Sequence, residues 1–128
     1  MGMVGGGAVL VVEDDEGMRE AISELLGAAG IESTAYGSAE AFLAGGDLDH
    51  VACVISDLKL PSMSGFELLS ALRARGPRPP VIVITANDAP GVRQEAQRLG
   101  AAAYLTKPFD AGTLLSAIRS ATAPSGPA

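Results

Sequence analysis

Three stretches of the chain are apolar without a break and rich in β-branched residues: 8–12, 51–55 and 81–84. Runs that do not alternate with polar residues predict strands covered on both faces, as in a parallel sheet. Each run stops at chemistry. The first meets Glu13, Asp14 and Asp15, the second passes Ser56 to reach Asp57, and the third reaches Thr85. Two weaker patterns complete a set of five. Residues 31–36 mix β-branched and polar side chains as an edge strand would, and residues 102–106 form a last strand ended by Lys107 and Pro108.

Between these runs the apolar positions recur at helical spacing. Met18, Ala21, Ile22, Leu25, Leu26 and Ala29 make the inward face of a helix that opens at Glu16, with Arg19, Glu20 and Glu24 opposite and Gly30 at its close. Ser38 is placed to cap a short helix through residue 44, with Glu40 near its positive end and Gly45 and Gly46 stopping it. Phe66, Leu68, Leu69 and Leu72 predict a helix over 65–75, ended by Gly76-Pro77 and Pro79-Pro80. Residues 88–100 carry only Val92, Ala96 and Leu99 at regular apolar positions, so that helix has a weak core face and should shift at little cost. Asp110 caps a final helix whose inward positions are Leu114, Leu115, Ile118 and Ala121.

Five strands alternating with five helices, at about 25 residues per unit, predict a doubly wound α/β domain with right-handed crossovers. It occupies residues 8–122. Residues 1–7 read as a glycine-rich leader, in which Met3 suggests a cloning remnant, and 123–128 as a tail or the start of a linker. There is no internal repeat. A chain of 128 residues suits one domain, long enough to bury about two-thirds of its unfolded surface.

Composition narrows the function classes. With 48% hydrophobic and 19% charged residues the chain is too apolar for disorder, yet no apolar run is long enough for a membrane span. The net charge is −6 and the nine Lys and Arg are scattered, so a nucleic-acid contact by this domain is not expected. One Cys excludes a disulfide framework, and with no signal pattern the expected compartment is the cytoplasm. Cys53 reads as core filling in the central strand, and His50 as a lone loop residue without a partner at metal-ligand spacing.

In a parallel sheet the carboxyl ends of the strands share one edge. Glu13, Asp14, Asp57, Thr85 and Lys107 therefore converge. Three acids in one place repel, and either the lysine or a hard divalent cation relieves them. Mg²⁺ fits an oxygen set of this kind, since it combines one or two carboxylates with waters and a phosphoryl oxygen. An Asp facing a Lys and a Thr hydroxyl beside such a metal is placed as a nucleophile toward phosphorus. Each of these residues alone has an ordinary reading as a cap, turn former or loop residue. Their convergence outweighs it.

Those positions, with the Lys107-Pro108-Phe109 run and the turn from Pro61 to Gly65, resemble the response-regulator receiver domain of two-component signalling, over roughly residues 8–122. The resemblance implies a flavodoxin-like, CheY-like five-stranded parallel sheet in the order 2-1-3-4-5 with five flanking helices. It implies that Asp57 is the phosphoacceptor. Asp14, Asp57 and the main-chain carbonyl of Lys59 would hold Mg²⁺, with Glu13 acting through water. Thr85 and Lys107 would contact the phosphoryl group, Tyr104 would be the switch aromatic, and Lys107-Pro108 would be a cis bond. Lys59 and Asn87 fall where the family tunes phosphoryl lifetime. The implied partner is a sensor histidine kinase or a phosphotransfer protein. The helix at 88–99, the last strand and the final helix would form a face that switches and can self-associate. The wording of residues 37–43 and 107–110 is similar to receivers of FixJ/NarL-type regulators, which precede helix-turn-helix output domains.

Three positions depart from the family's commoner residues: Glu13 for Asp, Ser64 before Gly65, and Lys59 two residues after the phosphoacceptor. Lys59 is expected to pair with an acid of the site when metal is absent. The rival readings are an Asp-nucleophile Mg²⁺ phosphohydrolase, an FMN carrier and a phosphorylation-independent adaptor. The first wants a second acid where Lys59 stands. The second is disfavoured by acids that would repel an FMN phosphate at the first strand's end. The third is opposed by the complete acid, Thr and Lys set.

Overall fold

The computed structural model describes residues 7–45 and 48–123. The expected leader and tail, and Gly46, lie almost wholly outside that range. Five parallel strands form one sheet in the order β2-β1-β3-β4-β5: β1 (Ala8–Val12), β2 (Ser33–Tyr36), β3 (Val51–Asp57), β4 (Val81–Thr85) and β5 (Ala103–Thr106). The helices between and after them are α1 (Glu16–Ala28), α2 (Ala39–Gly45), α3 (Gly65–Ala74), α4 (Val92–Arg98) and α5 (Ala111–Thr122), with a 3₁₀ turn at Leu48–His50 before β3.

Side chains on a strand alternate between its faces, so the unbroken apolar runs feed two cores at once. Leu10, Val12, Val54, Val81 and Val83 pack with Phe42 of α2, Leu68, Leu69 and Leu72 of α3, and Ala96 of α4. Val9, Val11, Cys53, Ile55, Ile82 and Ile84 pack with Ile22 and Leu26 of α1 and Leu114 and Ile118 of α5. The sheet is thus a middle layer between three helices and two. The thiol of Cys53, buried among these residues, is pushed up to about 12 and has no thiolate chemistry to offer near neutrality.

The helix starts follow their caps. Asp15 accepts from the Met18 N–H at 2.8 Å, Ser38 from Ala41 N–H at 3.1 Å, and Asp110 from Thr113 N–H at 2.7 Å. Ser64, where the family more often has an acid, forms a reciprocal capping box with Glu67: its hydroxyl accepts the Glu67 N–H at 3.1 Å, and the Glu67 carboxylate accepts the Ser64 N–H at 2.9 Å. Lys107-Pro108 is cis, as the resemblance implies, and so is Arg78-Pro79.

Some boundaries differ from those expected. α4 begins at Val92 rather than near residue 88, because Pro90 and Gly91, the latter at φ 87°, occupy the turn before it. Ala21 and Ala29, read as inward, are exposed, so the buried stripe of α1 is narrower than the apolar spacing suggests. The helices are also anchored unequally. α3 buries three leucines, each worth about 1.5–3 kcal/mol, whereas Ala96 is the one fully buried side chain of α4. Among the five helices α4 has the smallest buried anchor.

Candidate functional site

β1, β3 and β4 end at one edge, where a cleft of 480 Å³ opens between the loops that follow them. Its lining includes Glu13, Asp14, Asp57, Lys59, Thr85, Asn87 and Lys107. Every residue expected at the site except Tyr104 reaches this cleft.

Lys107 sits at its centre. Its Nζ donates to Asp57 Oδ2 at 2.7 Å and to Glu13 Oε1 at 3.0 Å. Asp57 Oδ1 accepts the backbone N–H of Lys59 at 3.0 Å, so both oxygens of the buried Asp57 carboxylate have donors. Glu13, wholly buried, also accepts the Asp15 N–H through Oε2 at 3.1 Å. Burial still raises the Glu13 carboxyl above its ordinary value, and the nearby Asp57 adds to the rise against the opposing pull of Lys107 and the Asp15 N–H. Burial alone would lower Lys107, but its bonds to Asp57 and Glu13 outweigh that and raise it. The lysine is a fixed cation at neutral pH.

Asp14 differs from both neighbours. It is exposed and forms no ion pair among the described residues, yet one of its carboxylate oxygens lies within 4.8 Å of oxygens from Glu13 and Asp57. Three hard oxygen donors served by a single ammonium suit a divalent cation with a preference for oxygen. The donor set fits Mg²⁺. The remaining acid of the cluster, Asp15, is the N-cap of α1.

Thr85 is buried, and its hydroxyl accepts the Asn87 N–H at 3.0 Å, which turns it toward the loop after β4. Lys59 corrects an expectation. Its side chain is exposed and pairs with none of the acids, because Lys107 already occupies Asp57 and Glu13; only its backbone N–H engages the site. Tyr104 does not line the cleft and is nearly buried. Its hydroxyl donates to Asp88 Oδ1 at 2.8 Å, and the Arg93 guanidinium stacks 4.5 Å from the ring centroid. Burial and then the Asp88 bond push its phenol up to about 12.

Three contributors had no expected role. Gly65 brings α3 against the backbone of Asp57 itself: a Cβ there would stand 2.3 Å from the Asp57 carbonyl oxygen and 2.6 Å from the Leu58 Cα. The turn spacing from Pro61 to Gly65 is its only trace in the sequence. Arg19 Nη1 donates to the carbonyl oxygens of Glu13 at 2.9 Å and Asp14 at 3.3 Å, and Asp88 holds Tyr104. Nothing in the residue pattern marks either as joined to the site.

Residues 9–119 match the family described as the response regulator receiver domain. The chain is 43% identical over 112 residues to the transcriptional regulatory protein FixJ of Azorhizobium caulinodans, covering 87% of this chain and 53% of that protein. It is 46% identical over 110 residues to the response regulator protein FleR of Pseudomonas aeruginosa, covering 86% of this chain and 23% of that one. Among solved structures, the crystal structure of FixJ-N superposes with a TM-score of 0.82 at 34% identity, covering 91% of this chain and 93% of that one. The chemotaxis protein CheY4 of Vibrio cholerae gives 0.81 at 31%, covering 88% and 96%. The chain spans about half or less of the length of these two curated relatives.

Proposed function

Since the chain belongs to the response regulator receiver domain family and is a phosphoacceptor module of two-component signalling, we propose that Asp57 is the residue that takes the phosphoryl group and that residues 8–122 are the receiver unit. The observation that carries this reading is the Asp57 carboxylate, nearly buried at a strand end and held between the Lys107 ammonium and the Lys59 N–H. Those two donors aim the carboxylate into the cleft. An Asp57 oxygen attacks phosphorus in line, forming the O–P bond of an acyl phosphate as the bond from phosphorus to the donor breaks. With a sensor histidine kinase or phosphotransfer protein as donor, the imidazole nitrogen leaves with the electron pair.

Lys107 remains protonated and meets the charge on the phosphoryl oxygens, and Thr85 exchanges its bond from Asn87 for one to a phosphoryl oxygen. Asp14, Asp57 and the Lys59 main-chain carbonyl would hold Mg²⁺, with Glu13 through water, and the ion would neutralise and orient the phosphoryl oxygens. The same residues hydrolyse the acyl phosphate later, with Lys59 and Asn87 at the cleft mouth setting its lifetime, so the domain catalyses only its own modification. Movement of Thr85 alters the space beside Tyr104, and the face of α4, β5 and α5 changes its affinity for an output partner or a second copy. The working compartment is the cytoplasm. A phosphohydrolase reading lacks an acid at residue 59, where the exposed Lys59 stands.

Acetyl phosphate with Mg²⁺ is expected to add one phosphoryl group, located by mass spectrometry of borohydride-trapped peptides to Asp57. Asp57→Asn should stay unmodified. Labelling that persists in that variant would overturn the assignment, and steady turnover of an external phosphomonoester would return the phosphohydrolase reading.

A further inference from the structure

The carbonyls of Glu13 and Asp14 fall in a gap between two regular elements. Sheet pairing of β1 with β2 ends at Val12 opposite Tyr36, and α1 does not begin until Glu16. Neither ladder nor helix supplies the two carbonyls with a donor, and Arg19 does. From the first turns of α1 its guanidinium folds back over the helix start, and a single nitrogen, Nη1, serves both oxygens. Gly37, in the loop after β2, lies against the guanidinium. A Cβ on Gly37 would lie 3.1 Å from Nη1 and 3.7 Å from Cζ, tighter than ordinary contact with Nη1, so a side chain there would push the guanidinium from its place.

We propose that Arg19 is a positioning residue for the metal-binding acids, with the bare backbone of Gly37 leaving room for its guanidinium. Turning a peptide carbonyl turns the Cα–Cβ vectors on either side of it, so fixing the two carbonyls fixes where the Glu13 and Asp14 carboxylates point. This inference rests on the Mg²⁺ reading of the site. It concerns a residue that touches neither metal nor phosphoryl group.

Repulsion and positioning have opposite signs here, which makes them separable. A cation beside a cation site repels the metal, so if Arg19 acted only through its field, removing the charge would tighten Mg²⁺ binding. If it acts by holding the loop, removal weakens binding. Calorimetric titration of the metal-free chain with Mg²⁺ is expected to give a Kd for Arg19→Gln raised about tenfold, or about 1.4 kcal/mol, with Arg19→Lys between it and wild type. Gly37→Val, which displaces the guanidinium and leaves every charge in place, should weaken binding similarly. The double variant should be no weaker than the weaker single one, since both break one contact.

Binding by Arg19→Gln as tight as wild type or tighter overturns the proposal, and so do losses that add in the double variant. Failure of the wild type itself to bind Mg²⁺ would instead sink the functional reading on which the proposal stands. Should Arg19→Gln not fold, Gly37→Val alone decides: unchanged affinity there overturns the role.

Discussion

Among the three acids at the strand ends, Asp14 has the least compensated charge. Glu13 and Asp57 share Lys107, but Asp14 faces both with no cation of its own among the described residues. Two unit charges at no more than 4.8 Å in fully screening water repel by at least about 0.9 kcal/mol, and Asp14 has two such neighbours, offset only by Lys107 across the cleft and by Arg19 at its carbonyl. Asp14→Asn is therefore expected to raise metal-free stability by about 0.5–1 kcal/mol in urea denaturation and to abolish the stabilisation that Mg²⁺ gives wild type. If Asp14→Asn instead lowers stability without metal, or keeps the Mg²⁺ response, the charge is compensated elsewhere. Tyr104 illustrates a different balance. Its hydroxyl on Asp88 and its ring under Arg93 fix its place, so under the switch role proposed for it three side chains rather than one would have to rearrange.

At the scale of elements, α3 is fixed to the site by contact, whereas α4 is held by the one buried Ala96 and the stacking of Arg93 on Tyr104. Gly65 N–H donates to the Leu58 carbonyl at 2.8 Å, and its missing Cβ is the space that the Asp57 and Leu58 backbones occupy. Backbone cannot yield as a flexible side chain can. Gly65→Ala is expected to cost about 1–3 kcal/mol of stability and to slow acetyl-phosphate labelling of Asp57, both readable on one purified variant; wild-type values for both would mean that the turn relaxes. The strands and the site are legible in the residue order because continuous apolar runs identify buried strands and the fold then sets their ends side by side. Asp57, Asp14, Thr85 and Lys107 need nothing more. What the order conceals depends on distances across loops: the narrow buried stripe of α1, the late start of α4 behind Pro90 and Gly91, and the reach of Arg19 to two carbonyls. Lys59 misleads for a related reason, since the pattern does not say which of two lysines reaches the acids.

For the whole molecule, the paired and capped groups set how stability varies with pH. Glu13 has a raised carboxyl, so from about 4.5 up to its folded value the native state keeps a proton that the unfolded chain releases, and stability falls as pH rises through that window. Asp110, lowered by the Thr113 N–H, acts in the other direction: its contribution is present above 3.8 and is lost as pH falls through the depressed folded value. Lys107 contributes below 10.5, and that contribution disappears as pH rises through its raised folded value. The metal-free chain should therefore be most stable in mild acid, and Mg²⁺ should move the optimum upward. Urea midpoints measured with chelator and with Mg²⁺ across a pH series test this. Metal-free stability that rises as pH climbs above 4.5 would contradict it.

Lys107 also bears on the order in which the chain folds. Its partners Glu13 and Asp57 lie 94 and 50 residues earlier in sequence, and closing such loops is worthwhile only once β1, β3, β4 and β5 are assembled. A nascent or half-folded chain holds Asp57 but not the ammonium that its carboxylate accepts from in the folded molecule. The complete site therefore exists only in molecules whose sheet is complete.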